Sequence, residues 1–329
     1  DGWAVISSDD PMDRVEVSSV FAGDNIPLPL TSGQAFRIMT GAPIPENADA
    51  LVMIEDGING KARTNFIRFK GENIQRNSIA LRKGSILNPS SLALLASVGH
   101  SKVPVYVKPK VSIIPTGNEL ITPGNQLNEG QIYESNSISL SALVDRAGGE
   151  SIVINSVQDK LHDLREIFDQ CSKTSDLIIT SGGVSMGDRD FVRKLLIDEG
   201  QPLFWKVKMR PGGPPIFGTW KGTPVIGLPG NPVSSHIVFL NLIVPWLSHP
   251  DLFYRKIRVL LNSPLKGATN KVVFRRIDIE PRDQLVASTY THQGSGNIQS
   301  MVVHNALSVL PPNTNGEIGD IIDALWLID

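Results

Sequence analysis

With 329 residues, 41% of them hydrophobic and 19% charged, the chain has an ordinary globular composition and is long enough for two or three domains of about 100–200 residues each. A net charge of −2 provides no global field to recruit nucleic acid or anionic lipid, and no apolar run approaches the roughly 20 residues of a membrane span, so neither partner is expected. The single cysteine, Cys171, excludes an internal disulfide framework and a thiolate metal cage, and suits a reducing cytoplasm.

In chain order, residues 1–88 predict a β-rich subdomain. The runs "WAVIS", "RVEVSSVF", "AFRIMT", "ALVMIE" and "FIRFK" are short, β-prone and separated by Gly, Pro, Asn and Asp clusters. Residues 89–108 form a return segment with one helix, Ser91 to Val98, closed by Gly99. Over 109–250 the rhythm changes to strand 111–114, helix 137–147, strand 151–157, helix 161–171, strand 177–180 and helix 189–199. Strands 203–209 ("LFWKVKM") and 223–228 ("TPVIGL") and a helix over 233–247 complete it. That alternation predicts an α/β fold, a parallel sheet doubly wound with helices on both faces. Over 251–329, "KIRVLL", "KVVFRRIDI", "LVASTY", "ALSVL" and "IIDALWLI" predict a small C-terminal β-barrel.

Ligands of an open α/β sheet bind beyond the carboxyl ends of its strands. Three such ends carry glycine-bearing polar loops: Thr116-Gly117-Asn118-Glu119, Ser181-Gly182-Gly183 through Ser185 to Asp190, and Pro229-Gly230-Asn231 leading to Ser234. Glycine lets backbone N–H groups approach a ligand, and each following helix offers free donors, so the set reads as a phosphate or oxyanion cradle. Glu119, Asp188 and Asp190 supply hard oxygens that suit Mg²⁺ shared with substrate phosphates, and Asp159 could join them. Lys206, Lys208 and Arg210 add positive charge along a strand and its exit. Each loop taken alone also has a plainer reading. Ser185 and Asp188 fit a capping box, Asp190 complements a helix dipole, Asn231-Pro232 is a good cap pair, and the lysines suit a solvated strand face. Coincidence of three loops on one sheet edge favours the crevice. His236 lies within an apolar helix and reads as packed. The other five histidines lack metal-ligand spacing, so no zinc site is expected.

The chain resembles the molybdopterin molybdenumtransferases, the family that includes the E domain of gephyrin. The resemblance rests on "DGWAV" (1–5), "RIMTGAPIP" (37–45), "ADALVMIED" (48–56), "PTGNEL" (115–120), "IYESNS" (132–137), "SGGVSMGDRD" (181–190), "GLPGNPVSS" (227–235) and "NALSVLPP" (305–312). It implies an enzyme that uses Mg²⁺ to insert molybdate into adenylylated molybdopterin and releases molybdenum cofactor and AMP. By motif it assigns an acidic set of Asp1, Glu119, Asp159 and Asp190, with Thr40 on the β-rich subdomain and Ser234 beside the reacting phosphate or molybdate. It implies a homodimer whose active site lies between chains, supplied by the enzyme that adenylylates molybdopterin. The opening Asp1-Gly2-Trp3 matches a point inside that family's N-terminal region, so a preceding helical stretch is expected. Two regions depart from the family pattern. Arg210-Pro-Gly-Gly213-Pro stands where Lys-Pro-Gly-Lys-Pro is usual, and Gln75 with Ser78-Ile79-Ala80 replaces Arg and Gly-Glu-Asp. These departures give the alternative reading, a catalytically weakened paralogue that binds molybdopterin or a protein partner as a scaffold.

Overall fold

A computed structural model describes residues 1–157, 160–184, 190–248 and 250–328. The chain divides into two compact units, Asp1–Val105 and Tyr106–Asp329. Among the described residues no helix is long and apolar enough to cross a membrane.

In the first unit β1 (Gly2–Val5), β2 (Val15–Val20), β3 (Gln34–Ile38) and β4 (Ala50–Met53) form one sheet in the order β2-β3-β1-β4. Strand alternation sends Trp3 and Val5 to one face, with Ala35, Ala50 and Val52, and Ala4 to the other, with Val20, Leu30, Phe36 and Ile38. Both faces of β1 are therefore covered. The strand expected over "FIRFK" does not form. Leu51 and Arg63 make one isolated bridge, after which Thr64–Phe66 coil into a 3₁₀ turn, so the apolar alternation finds no ladder. Helix α1 (Pro89–Ser97) starts where the Asn88 side chain accepts a hydrogen bond from Ser91 N at 2.9 Å.

The second unit begins with β5 (Lys110–Pro115), the short pair β6 (Leu120–Ile121) and β7 (Ile132–Tyr133), α2 (Asn136–Arg146), β8 (Glu150–Val153), α3 (Leu161–Thr174), β9 (Leu177–Ser181) and α4 (Phe191–Asp198). It continues through β10 (Gln201–Trp205), β11 (Met209–Arg210), β12 (Ile216–Trp220), β13 (Thr223–Leu228), α5 (Pro232–Val238) and α6 (Val244–Leu247). The sheet order is β10-β12-β13-β9-β5-β8, parallel from β13 to β8, with β12 and β10 added antiparallel at one edge. Alternation again sorts the core. Val111, Ile113, Leu177, Ile179, Ile226 and Leu228 pack under α2 and α5, while Ile114, Ile178 and Val225 pack under α3 and α4. The fold is α/β, with this sheet wound on both faces.

Among the differences from the expected elements are a further strand and a broken helix. Strand β12 was not anticipated; it joins β13 through Lys221-Gly222, both at positive φ, the turn that matches the twist of a two-residue hairpin. The helix expected over 233–247 is interrupted by a π-segment, Phe239–Ile243, just ahead of Pro245, which has no N–H to continue the ladder.

The chain ends with β14 (Tyr254–Leu261), β15 (Val272–Pro281), β16 (Leu285–Ser288), α7 (Gln299–Val302), β17 (Ala306–Leu310) and β18 (Ile321–Leu327). Because β15 pairs with both β16 and β17, the order β15-β16-β14-β18-β17 closes on itself as a five-stranded barrel. Val259, Val273, Ile277, Ala306 and Ala324 fill its interior. Its outward Phe274, Leu307 and Leu325 join the core beneath α2 and α5, so the barrel docks on that face of the sheet.

Candidate active site

The loops after β5, β9 and β13 lie side by side because those three strands are neighbours. Thr116 N donates to Ser181 O at 3.1 Å, and Gly182 N donates to Leu228 O at 2.9 Å. Gly182 sits at φ +109°, and a Cβ there would stand 2.7 Å from Thr116 O, so only glycine allows the first two loops to touch. The second and third loops are tied by Asn136, whose amide donates to Ser181 Oγ at 2.6 Å and to Gly230 O at 2.8 Å. A Cβ on Gly117 would fall 2.7 Å from the Glu119 carboxylate oxygens, so Glu119 lies back over its own loop in space that glycine leaves open.

Asn231, expected as a possible helix cap, is not used that way. Asp190 and Asn231 occupy the cap positions of α4 and α5, yet neither side chain makes a capping hydrogen bond. Asn231 instead donates to Ser295 Oγ at 3.0 Å, and Ser295 O accepts from Val233 N at 3.1 Å. Ser234 is buried, as is Ser235, whose hydroxyl donates to Pro229 O. Asp159, Ser185 and Asp188 lie outside the described residues.

The expected strand 203–209 is not continuous. It ends at Trp205; Lys206 turns to φ +73°, and its ammonium stands 4.0 Å from the Trp205 ring centroid. Met209 and Arg210 then pair in parallel with Val272 and Val273 of the barrel. A positive φ breaks the pleat, so the lysines do not share a strand face. Instead Lys206, Lys208 and Arg210, with Thr269 and Lys271, line an open cleft of about 810 Å³. Gly213 is also on its wall. A Cβ there would meet the backbone oxygen of Met209 at 3.2 Å, a tight contact, so a side chain in place of Gly213 would require the 207–209 backbone to yield by a few tenths of an ångström.

A further cation lies deeper. Arg276, on the outer face of β15 beside Phe274, is 1% exposed. Its Nε donates to Ser300 Oγ at 2.9 Å and its Nη2 to Gly294 O at 3.0 Å, while Nη1 has no hydrogen-bond partner. Among the described residues no carboxylate pairs with it. Burial, and secondarily the Arg275 charge, pull its pKa down to about 10, which leaves it charged at neutral pH. A buried guanidinium with an idle donor and, among the described residues, no counter-charge has what an oxyanion would satisfy. The adjoining His304 is also buried; its Nδ1 lies 2.8 Å from Ser300 O, and its Nε2 is without a partner.

In the first unit, Asp1 and Thr40 are brought together. Asp1 Oδ1 accepts from Thr40 N at 2.8 Å and from Thr40 Oγ1 at 3.2 Å. Both line a cavity of about 570 Å³ whose wall also includes Phe66 and Arg68.

Three family descriptions match successive parts of the chain. Residues 1–99 match the MoeA N-terminal region (domain I and II), 112–249 a probable molybdopterin binding domain, and 258–327 the MoeA C-terminal region (domain IV). The molybdopterin molybdenumtransferase of Haemophilus influenzae is 33% identical over 334 residues, covering 94% of this chain and 81% of its own. The chain belongs to the molybdopterin molybdenumtransferase family. It is a transferase enzyme with a role in molybdenum-cofactor biosynthesis. Molybdopterin molybdenumtransferase 2 of Mycobacterium tuberculosis is 34% identical, covering 94% of this chain and 83% of its own. The crystal structure of the molybdopterin biosynthesis MoeA protein from Pyrococcus horikoshii OT3 superposes with a TM-score of 0.80 at 27% identity, covering 99% of this chain and 86% of that one.

In this molybdopterin molybdenumtransferase family member, sequence reasoning missed Asn136, Lys271, Arg276, Ser295 and Ser300. Asn136 stood inside the quoted "IYESNS", just ahead of the helix expected over 137–147. For Arg276 the alternation of "VVFRRIDI" gave a signal, since Ile277 and Ile279 claim the barrel interior and leave Arg276 outward. What covers that outer face could not be read.

Proposed function

We propose that this chain inserts molybdate into adenylylated molybdopterin, cleaving the adenylyl phosphoanhydride and releasing molybdenum cofactor and AMP. The observation that carries the reading is Arg276, a fully buried cation with an idle donor, held through Gly294 one residue from Ser295, which grips the start of α5. A tetrahedral oxyanion supplies the charge that this guanidinium lacks. Thr116, Gly117, Ser181, Gly182, Gly183, Pro229, Gly230 and Asn231 would line the path of the pterin and phosphates, with Ser234 beside the reacting group. Lys208, Arg210 and Lys271 would draw the anions in through the open cleft. Asp1 and Thr40, joined by hydrogen bonds in the β-rich unit, would serve the site of a partner chain in a homodimer. The same proposal carries the division at 1–88, 89–108, 109–250 and 251–329 and a substrate-donating, molybdopterin-adenylylating enzyme.

Glu119 and Asp190 would hold Mg²⁺, which supplies neutralisation of charge building on the phosphoanhydride. Among the described residues no cluster of three or more His, Cys, Asp or Glu forms a cage. One or two carboxylates sharing the ion with substrate phosphates need no cage, and the Glu119 carboxylate over Gly117 fits that donor set. The chain's own residues position the anhydride, exclude water at the buried Arg276 and meet the negative charge as the P–O bond breaks.

Single-turnover release of AMP from adenylylated molybdopterin, with and without molybdate, tests this reading. Molybdate-stimulated release is expected, falling about 100-fold or more in Asp190→Ala. Tight binding without release in the unaltered protein would overturn it in favour of a binding scaffold, the reading that Gly213 in the basic cleft supports.

A further inference from the structure

The loop after β9 is held from the far side of the sheet. Strand β10 is antiparallel to β12, and β12 to β13, so β10 points the same way as β9 and ends on the same sheet edge as the three loops. Its last residue, Trp205, stands in one cross-strand row with Ile216, Gly227 and Thr180. Gly227 leaves room in that row, since a Cβ there would fall 2.5 Å from Val184 Cγ1 and 2.6 Å from Ile216 Cγ2. Val184, 2% exposed, takes that room, and its carbonyl accepts from Trp205 Nε1 at 3.2 Å. The same indole carries two cations. The Arg193 guanidinium carbon lies 4.5 Å from the ring centroid and the Lys206 ammonium 4.0 Å. Arg193 belongs to the first turn of α4, where its N–H donates to Gly183 O at 3.1 Å, and Lys206 belongs to the wall of the basic cleft. One side chain from a fourth strand end thus touches the loop, the helix behind it and a lysine of the cleft.

We propose that Trp205 is a positioning residue for the reaction, its N–H fixing Val184 and so setting the direction in which the second glycine loop leaves the sheet towards Asp190. The inference rests on the reading above, in which that loop carries phosphate-binding backbone and a Mg²⁺ ligand. Its distinctive claim is that the indole acts through the Val184 carbonyl and touches no substrate. The fold does not depend on this hydrogen bond, because Gly182 N on Leu228 O and the burial of the Val184 side chain hold the base of the loop independently. One such bond adds little to stability, whereas a displacement of about 1 Å at a reacting group is enough to lower a rate by roughly 100-fold.

The test uses the full chain with two changes at this position. Trp205→Phe keeps a ring without the donor, and Trp205 replaced by benzothienylalanine keeps the size of the indole and puts sulfur where the N–H was. Single-turnover AMP release is read against Mg²⁺ and against molybdate, alongside melting temperature and amide exchange of Gly182 and Arg193. Both variants are expected to lower the maximal rate about 10-fold, to raise half-saturating Mg²⁺ several-fold and to leave half-saturation by molybdate nearly unchanged. Exchange of the two amides is expected to speed roughly 10-fold, with melting within about 4 °C of the parent. A full rate in the benzothienylalanine protein, or a loss of rate that leaves the Mg²⁺ requirement unmoved, would overturn the proposal. If the unaltered protein releases no AMP, the functional reading fails by itself. Amide exchange then judges the anchor, and unchanged protection of Gly182 and Arg193 in both variants overturns that too.

Discussion

Two sets of positive charge stand in the second unit, and they differ in how the chain holds them. Lys206, Lys208, Arg210 and Lys271 are exposed around an open cleft, where water screens each ammonium or guanidinium and salt weakens the field within about 10 Å. Arg276 is taken out of water, oriented by Ser300 Oγ and Gly294 O, and left with one donor unspent. The first arrangement attracts anions of many shapes. In the proposed reaction the second would select one that can reach a fixed, desolvated donor already oriented by its neighbours. His236 completes the contrast. Half-buried, with Ser139 Oγ 3.5 Å from its Nδ1, it lacks the intrinsic basicity that keeps a guanidinium charged, and desolvation, then the Arg146 charge, depress its pKa to about 4.

The comparison breaks most clearly at Arg276. Arg276→Met removes a buried charge that has no counter-ion among the described residues, so stability is expected to change little, with melting within about 4 °C of the parent. Molybdate-dependent turnover is expected to fall at least about 100-fold. A large loss of both would show that the arginine serves the core, not a ligand.

His236 tests the neutral side of the contrast. Its folded pKa of about 4 lies below the ordinary value of 6.5, so between these values the unfolded chain binds a proton that the folded chain does not. The contribution of His236 is complete above the upper value and is lost as pH falls towards the lower one, by roughly 3 kcal/mol in all. Urea melts across that window are expected to show the loss, and His236→Gln to flatten it. An equal acid slope in both proteins would assign the titration elsewhere.

The smallest effect belongs to the open cleft. Lys208→Ala with Lys271→Ala is expected to raise the half-saturating molybdate concentration several-fold at low ionic strength, with the difference fading towards 0.5 M salt. A salt-independent loss would place these lysines in direct contact with the ligand.

The sequence made much of the frame legible. Periodicity marked β5, β9, β13 and the helices between them, because each strand is buried on both faces and reads as a continuous apolar run. The three glycine loops were visible because backbone crowding permits little else, as the Gly182 contact with Thr116 shows. Lys206 was misjudged because "FWKVK" alternates like a strand while its backbone turns out of the pleat. "FIRFK" failed because its first residue closes the 3₁₀ turn Thr64–Phe66, leaving only the preceding Arg63 bridged to Leu51.

By itself, then, the amino-acid order determined the α/β frame, the loops at its strand ends and the family resemblance, since these depend on local backbone preference and near-neighbour pattern. Only the tertiary structure decided that Arg276 is desolvated, that Asn231 serves Ser295 instead of its own helix, and that Asn136 joins two loops. Those facts involve partners 45 to 94 residues apart for Asn136 and 64 apart for Asn231. Desolvation and long-range hydrogen bonding arise only when the barrel closes over the sheet, and no local pattern encodes which side chain will meet which.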